Sequence, residues 1–256
     1  MNKGRVTILG VPFDVITEKE TVELLLEKTS RHDGHFFVAT PNPEMLLEAR
    51  KNPPFQKVLN ETDLNIPDGT GVIMAAKFLK KPLKGRVTGT DIMKALCEKF
   101  THETKVFLLG GSDGIAEKTK EVLRHGNPHL NIVGTHAGSP SHEEEQQIRK
   151  KINDSGANVL FIAFGAPNQE LWLHRTLPHL PHVRLAMGVG GAFNFIAGVR
   201  KRAPVWMQKI GLEWFFRLIQ EPRRIKRIFN ATIKFPIVFL LNITESRNKE
   251  RTARHQ

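Results

Sequence analysis

Between residues 5 and 200, short runs of β-branched, aromatic and aliphatic residues alternate with longer stretches in which apolar positions recur every three or four residues. The short runs predict strands at Val6–Val11, His35–Thr40, Leu64–Pro67, Lys105–Gly110, Asn131–Thr135, Val159–Gly165 and Arg184–Val189. Between them, Thr17-x-x-Glu20 has the form of a capping box opening a helix through Leu24, Leu25 and Lys28. Ser141-x-x-Glu144 has the same form ahead of a polar helix that ends near Gly156. Further helices fit residues 43–51, 70–80, 90–100, 113–125 and 168–176. Strands alternating with helices predict a Rossmann-like α/β core, a mainly parallel sheet covered by helices.

The pattern changes after Gly198. Val199-Arg-Lys-Arg-Ala-Pro204 is a basic break, and Pro204 suits the first turn of a helix in which Trp206, Ile210, Trp214, Phe215, Leu218 and Ile219 recur at helical spacing. Pro222 opens a second helix carrying Arg223, Arg224, Lys226 and Arg227. The reading is therefore a core over residues 1–200 and a helical C-terminal appendage over 201–256. No stretch approaches the ~20 apolar residues that span a bilayer, and the N-terminus lacks a signal-peptide run. The longest late candidate, Phe235–Ile243, is interrupted by Pro236 and Asn242 and suits lying on a membrane rather than crossing it. The chain is thus expected to be neither secreted nor integral.

Charge sharpens this division. The net charge is +12, and residues 200–256 hold 14 Lys plus Arg against 4 Asp plus Glu, so +10 of it lies there. Such asymmetry points to an anionic partner, nucleic acid or phospholipid and lipid phosphates. The appendage aromatics lie in one apolar stripe rather than interspersed with basic residues, which argues against a nucleic-acid tract. A third reading makes the appendage an oligomer interface of an enzyme with a soluble nucleotide substrate. The one cysteine, Cys97, falls within a helical pattern and reads as a buried packing thiol.

In open α/β sheets ligands bind beyond the carboxyl ends of strands. Four turn-rich segments follow predicted strands there: Thr40-Pro-Asn42-Pro-Glu44, Pro67-Asp68-Gly69-Thr70-Gly71, Gly110-Gly111-Ser112-Asp113-Gly114 and Gly165-Ala-Pro167-Asn-Gln169-Glu170. In the second, a carboxylate precedes glycines that expose backbone amides at a helix start, as suits a general base beside an anion site; Asp68 suits simple helix capping as well. Gly110 and Gly111 permit phosphate approach or form a tight turn, and the full dinucleotide fingerprint is missing. Arg86 reads either as a phosphate clamp or as a surface arginine. The eleven histidines show no metal-ligand spacing, and there is no Asp-x-Asp pair to hold a divalent ion. Glu61-x-Asp63 precedes a strand, where a capping or surface role fits better.

Taken in order, seven segments resemble the bacterial WecG/TagA/CpsF family of N-acetylmannosaminyltransferases, over nearly the whole chain. They are Thr40-Pro-Asn-Pro-Glu44, Asp63 through Val72, Arg86-Val-Thr-Gly-Thr-Asp91, Phe107-Leu-Leu-Gly-Gly111, Gly165 through Glu170, Gly188 through Gly198, and Arg202-Ala-Pro204 through Glu221-Pro-Arg-Arg-Ile-Lys-Arg227. The resemblance implies an inverting, metal-independent transferase without a cofactor. It would move an N-acetylmannosamine-type sugar from its UDP donor to the C4 hydroxyl of N-acetylglucosamine on undecaprenyl diphosphate, in wall teichoic acid or related surface-polysaccharide synthesis. The donor could equally be the corresponding uronic acid. Asp68 would be the base. Thr40, Asn42 and Gln169 would line the sugar and diphosphate pocket, Arg86 would face phosphate, and Asn194 would sit near the nucleotide. Arg217, Arg224 and Arg227, spaced by seven and three and so on roughly one helical face, would meet the charge of the leaving UDP. The resemblance further implies that the appendage closes over the site at the inner face of the cell membrane, and that copies self-associate.

Overall fold

In a computed structural model of the protein, the described residues are 4–31, 33–204, 206, 207, 210–222 and 225–253; the described side chains exclude 217 and 246–253. Six strands form one all-parallel sheet in the order β4-β3-β8-β7-β5-β6: β3 Phe36–Ala39, β4 Leu64–Asn65, β5 Lys105–Gly110, β6 Asn131–His136, β7 Val159–Ala163 and β8 Leu185–Gly188. Val159 to Ile162 of β7 are fully buried, as an unbroken apolar run in a sheet covered on both faces must be.

The chain steps one way from β5 to β6 and the other way from β6 through β7 to β8. Right-handed crossovers therefore send the intervening helices to opposite faces. One face is covered by α1 Glu18–Ser30, α5 Gly89–Lys99, α6 Ile115–Gly126 and α9 Ala192–Ile196, which pack on Leu108, Phe161 and Met187. The other carries α3 Pro53–Glu61, α7 His142–Ser155 and α8 Asn168–Thr176, whose Val58, Ile148, Ile152, Trp172 and Leu173 cover Leu109, Leu160 and Ala186. The loops leaving β7 and β8 lead to α8 on one face and α9 on the other and thus diverge, opening a crevice at the sheet's carboxyl edge. Cys97 is fully buried in the first of these cores.

The expected single strand Val6–Val11 is instead a hairpin outside the main sheet, with β1 Arg5–Ile8 antiparallel to β2 Val11–Asp14. Leu9 and Gly10 both take positive φ, +50° and +82°, the two-residue turn that matches strand twist. The hairpin, α2 Pro43–Ala49 and α4 Thr70–Phe78 enclose a third core, which also takes in Phe235 and Phe239 from the C-terminal helix. Thr17 and Glu20 form the expected capping box. Ser141 does not: its hydroxyl pairs with that of Ser139, and Glu144 reaches the backbone N–H of Ser139.

The C-terminal segment is helical as α10 Glu213–Gln220, α11 Ile225–Phe229, a widened π turn Asn230–Lys234 and α12 Phe235–Ala253. Two expectations change here. The stripe from Trp206 to Ile219 does not lie on one helix, because Gly211, at φ +79°, breaks the chain and packs against Thr70. Pro236 does not stop the last helix. It lacks the N–H that would bond residue 232, and the preceding turn widens so that Phe235 N–H donates to the carbonyl of Asn230. The helical run Ile225–Glu245 is consequently 21 residues, by length and composition enough to cross a bilayer of ~30 Å, and most of it is exposed. The helix is thus longer than the apolar run Phe235–Ile243, with Lys226, Arg227 and Lys234 inside it.

Candidate active site

A cleft of about 520 Å³ opens where the loops after β3, β7 and β8 meet the first turn of α5. Thr40, Asn42, Asp68, Gln169 and Asn194 all line it, with Gly89, Thr90, Gly190, Gly191 and, from the C-terminal segment, Arg227 and Asn230. A second hollow of about 150 Å³ shares Asn42, Glu44, Asp68 and Arg227 and continues between Gly69–Gly71, Arg86 and the C-terminal residues Glu213, Trp214, Ile228 and Thr232. Asp68 stands on the ridge common to both.

Each position has a local cause. Asn42 caps α2, its side-chain oxygen accepting from Met45 N–H at 3.1 Å, so the β3–α2 loop is pinned at the cleft. Thr40 is buried, and its hydroxyl donates to the Gly188 carbonyl at 3.4 Å, joining the ends of β3 and β8. Asp68 precedes the N-cap of α4, Gly69, whose φ of +102° suits glycine. The Asp68 backbone N–H donates to the Pro41 carbonyl, and its carboxylate lies 3.9 Å from the Arg86 guanidinium. Arg86 also binds Glu213 of α10 at 2.6 Å, so it joins the candidate base to the C-terminal segment.

Two further ion pairs tie that segment to the core. Arg202 grips Asp91 with both terminal nitrogens, one at 2.7 Å, while Thr88, the N-cap of α5, donates to the same carboxylate at 2.6 Å. Burial works to raise the Asp91 pKa, but the hydrogen bonds from Arg202 and Thr88 and the charges of Arg202 and Arg86 outweigh it and hold the carboxyl below its usual range. Arg227 pairs with Glu44 at 2.7 Å. Asp91, Arg202, Glu44 and Glu213 were not among the expected site residues, although opposite charges in the segments that carry the family resemblance were a visible signal.

Gln169 is buried at the cleft and its amide is hydrogen-bonded through both its oxygen and its nitrogen. Oε1 accepts from the backbone N–H groups of Gly165 (3.0 Å) and Gly190 (3.1 Å), and Nε2 donates to Glu170 at 2.7 Å. Gly110 and Gly111 are not among the cleft-lining residues. A Cβ at Gly110 would lie 2.8 Å from the Ala163 backbone, so β5 and β7 converge too closely there for a side chain. Glu61 and Asp63 are structural: Glu61 pairs with His174 and Asp63 accepts from Phe37 N–H. Arg224 and the Arg217 side chain lie outside the described residues. Among the described residues no group of three or more His, Cys, Asp or Glu side chains is placed to hold a metal ion.

An all-parallel sheet with a polar cleft at its carboxyl edge, flanked by a carboxylate and arginines, has the build of an α/β enzyme that handles an anionic substrate. The chain belongs to the Glycosyl transferase WecG/TagA/CpsF family, which it matches over residues 6–251. It is 35% identical over 195 residues to the N-acetylglucosaminyldiphosphoundecaprenol N-acetyl-beta-D-mannosaminyltransferase of Bacillus spizizenii strain W23, covering 76% of this chain and 75% of that protein. To the protein of the same name from Staphylococcus aureus strain MRSA252 it is 31% identical over 258 residues, covering 99% and 97%.

Proposed function

We propose that the protein transfers N-acetylmannosamine from its UDP donor to N-acetylglucosamine on undecaprenyl diphosphate, with inversion to a β-1,4 linkage, in wall teichoic acid linkage-unit synthesis. Similarity to two mannosaminyltransferases, one along nearly its full length, supports the substrates. The observation that carries the mechanism is Asp68 on the ridge between two hollows, one sized for a nucleotide sugar and one running under the C-terminal segment.

The donor occupies the larger cleft and the acceptor sugar enters from the smaller. Asp68 takes the proton of the acceptor C4 hydroxyl as that oxygen bonds to the anomeric carbon, and the bond from that carbon to the UDP oxygen breaks. UDP departs with an added negative charge. Backbone N–H groups of Gly89 and Thr90 at the start of α5, together with Arg227, meet that charge without a metal ion. Arg86 holds Asp68 in place and keeps it beside a positive charge.

The segment after residue 200 is the membrane-facing unit, peripheral on the cytoplasmic leaflet where the lipid-linked acceptor is held. Trp206, Ile210, Phe215, Ile219, Ile237 and Leu241 are exposed on it among basic residues, and each Lys or Arg near an anionic surface contributes about 1 kcal/mol. The test is an assay of purified protein with a short-chain lipid diphosphate acceptor, a panel of UDP sugars, and chelator. Transfer from UDP-N-acetylmannosamine that persists with chelator is expected. Transfer only from the uronic acid, or only with added divalent ion, would overturn the reading.

A further inference from the structure

We infer that Glu170 is a positioning residue for the reaction: it fixes the Gln169 amide in the one orientation that holds the two glycine-bearing loops of the donor cleft together. The inference rests on the larger cleft being the donor site.

Gln169 Oε1 is the shared acceptor for two backbone donors from different loops, Gly165 after β7 and Gly190 after β8. A primary amide turned by 180° would aim its NH2 hydrogens at those two N–H groups, and the loops would be driven apart. The choice between the orientations is made by what Nε2 finds, and it finds Glu170 Oε1 at 2.7 Å. A carboxyl group offers an acceptor oxygen there in either protonation state, whereas an apolar side chain offers none.

The surroundings are built around this pair. A Cβ at Gly188 would lie 2.6 Å from Gln169 Nε2 and 3.0 Å from Glu170 Oε1, so the last residue of β8 is held to glycine by the pair's own volume. The Gly188 carbonyl in turn accepts from Thr40, which carries the link to the β3 end and the cleft wall. Glu170 is completely buried and its Oε2 has no hydrogen-bond partner among the described residues. A carboxyl group in such a place costs stability that leucine would not. Its presence there is not explained by packing alone, and orienting Gln169 supplies a reason.

The experiment measures UDP affinity, KM for the UDP sugar, kcat and thermal unfolding for the full chain and for Glu170→Gln, Glu170→Leu and Gly188→Ala. Glu170→Gln keeps an acceptor oxygen and is expected within about threefold of the parent. Glu170→Leu is expected to fold at least as stably yet to lose roughly 10- to 100-fold in UDP affinity, with a comparable rise in KM for the UDP sugar, a split between stability and binding that a packing role would not produce. Gly188→Ala disturbs the same amide from the other side and is expected to give the same loss, which keeps the inference testable if the leucine variant does not fold. Parent-like UDP affinity in either Glu170→Leu or Gly188→Ala would overturn it. A parent protein that binds no UDP would instead sink the donor-site reading, and this inference with it.

Discussion

Burying Glu170 leaves a signature in the pH dependence of stability. Desolvation pushes its carboxyl pKa from the ordinary 4.5 up to about 7, against the opposing hydrogen bonds from Gln169 and from its own backbone amide. Between those two values the native state holds a proton that the unfolded chain has released, so stability falls as pH rises through the window. The shift spans about 2.5 units, and at 1.36 kcal/mol per unit the native state forfeits about 3 kcal/mol by neutral pH. Glu170→Gln removes the titration while keeping the shape. Urea unfolding of both proteins at intervals from about pH 4.5 to 7.5 isolates the group, because every other titration cancels in the difference. The variant is expected to gain on the parent by about 3 kcal/mol across that range, with most of the change complete by pH 7. Parallel stability curves would refute the reasoning, since they would mean that the carboxyl is hydrated or neutralised by a neighbour.

Three other perturbations probe separate parts of the account. Asp91→Asn breaks the bidentate anchor to Arg202 and should cost about 2 kcal/mol at neutral pH, read by thermal unfolding. Because the folded Asp91 pKa is depressed, that contribution is present above its usual value of 3.8 and vanishes as pH falls through the lower folded value, so the two proteins should converge in acid. Gly110→Ala places a Cβ 2.8 Å from the Ala163 backbone at a φ of +98° and should destabilise the fold by several kcal/mol; a normally stable variant with weakened UDP binding would restore the phosphate reading of this turn. Burial also pushes the Cys97 thiol pKa up, so the native protein should resist maleimide until unfolded, and rapid labelling of native protein would contradict its placement.

The parallel sheet was legible because five of its six strands run four to six residues, all but β6 mostly buried, and glycine or proline follows each strand within two residues. The β1–β2 turn was not, because Leu9 takes a positive φ without the Asn-Gly or Asp-Gly pair that usually announces one. Helix α3 was not among the expected helices either; Asn52 caps it and Pro53 and Pro54 open it, where their missing N–H groups cost nothing. Pro236 misleads for a different reason, since a proline's effect there depends on whether the turn before it can widen.

At the site, Asp68, Thr40, Asn42, Gln169 and Asn194 converge on one cleft from four separate segments, as ligand binding beyond strand ends requires. Arg86 lies in the adjoining hollow; Gly110 and Gly111 do not line the cleft, and Gly110 sits against the Ala163 backbone of β7. What local sequence could not convey is pairing across more than a hundred residues, as in Arg86 with Glu213 or Asp91 with Arg202.

The most direct test of the central claim is the rate of sugar transfer by Asp68→Asn, measured beside its affinity for UDP. Loss of a general base removes typically 10²- to 10⁴-fold, so turnover with the lipid diphosphate acceptor should fall by about that factor while UDP binding stays within a few-fold of the parent. Turnover at the parental rate would remove Asp68 from the chemistry, and with it the reading of the ridge between the two hollows as the place where the bond is made.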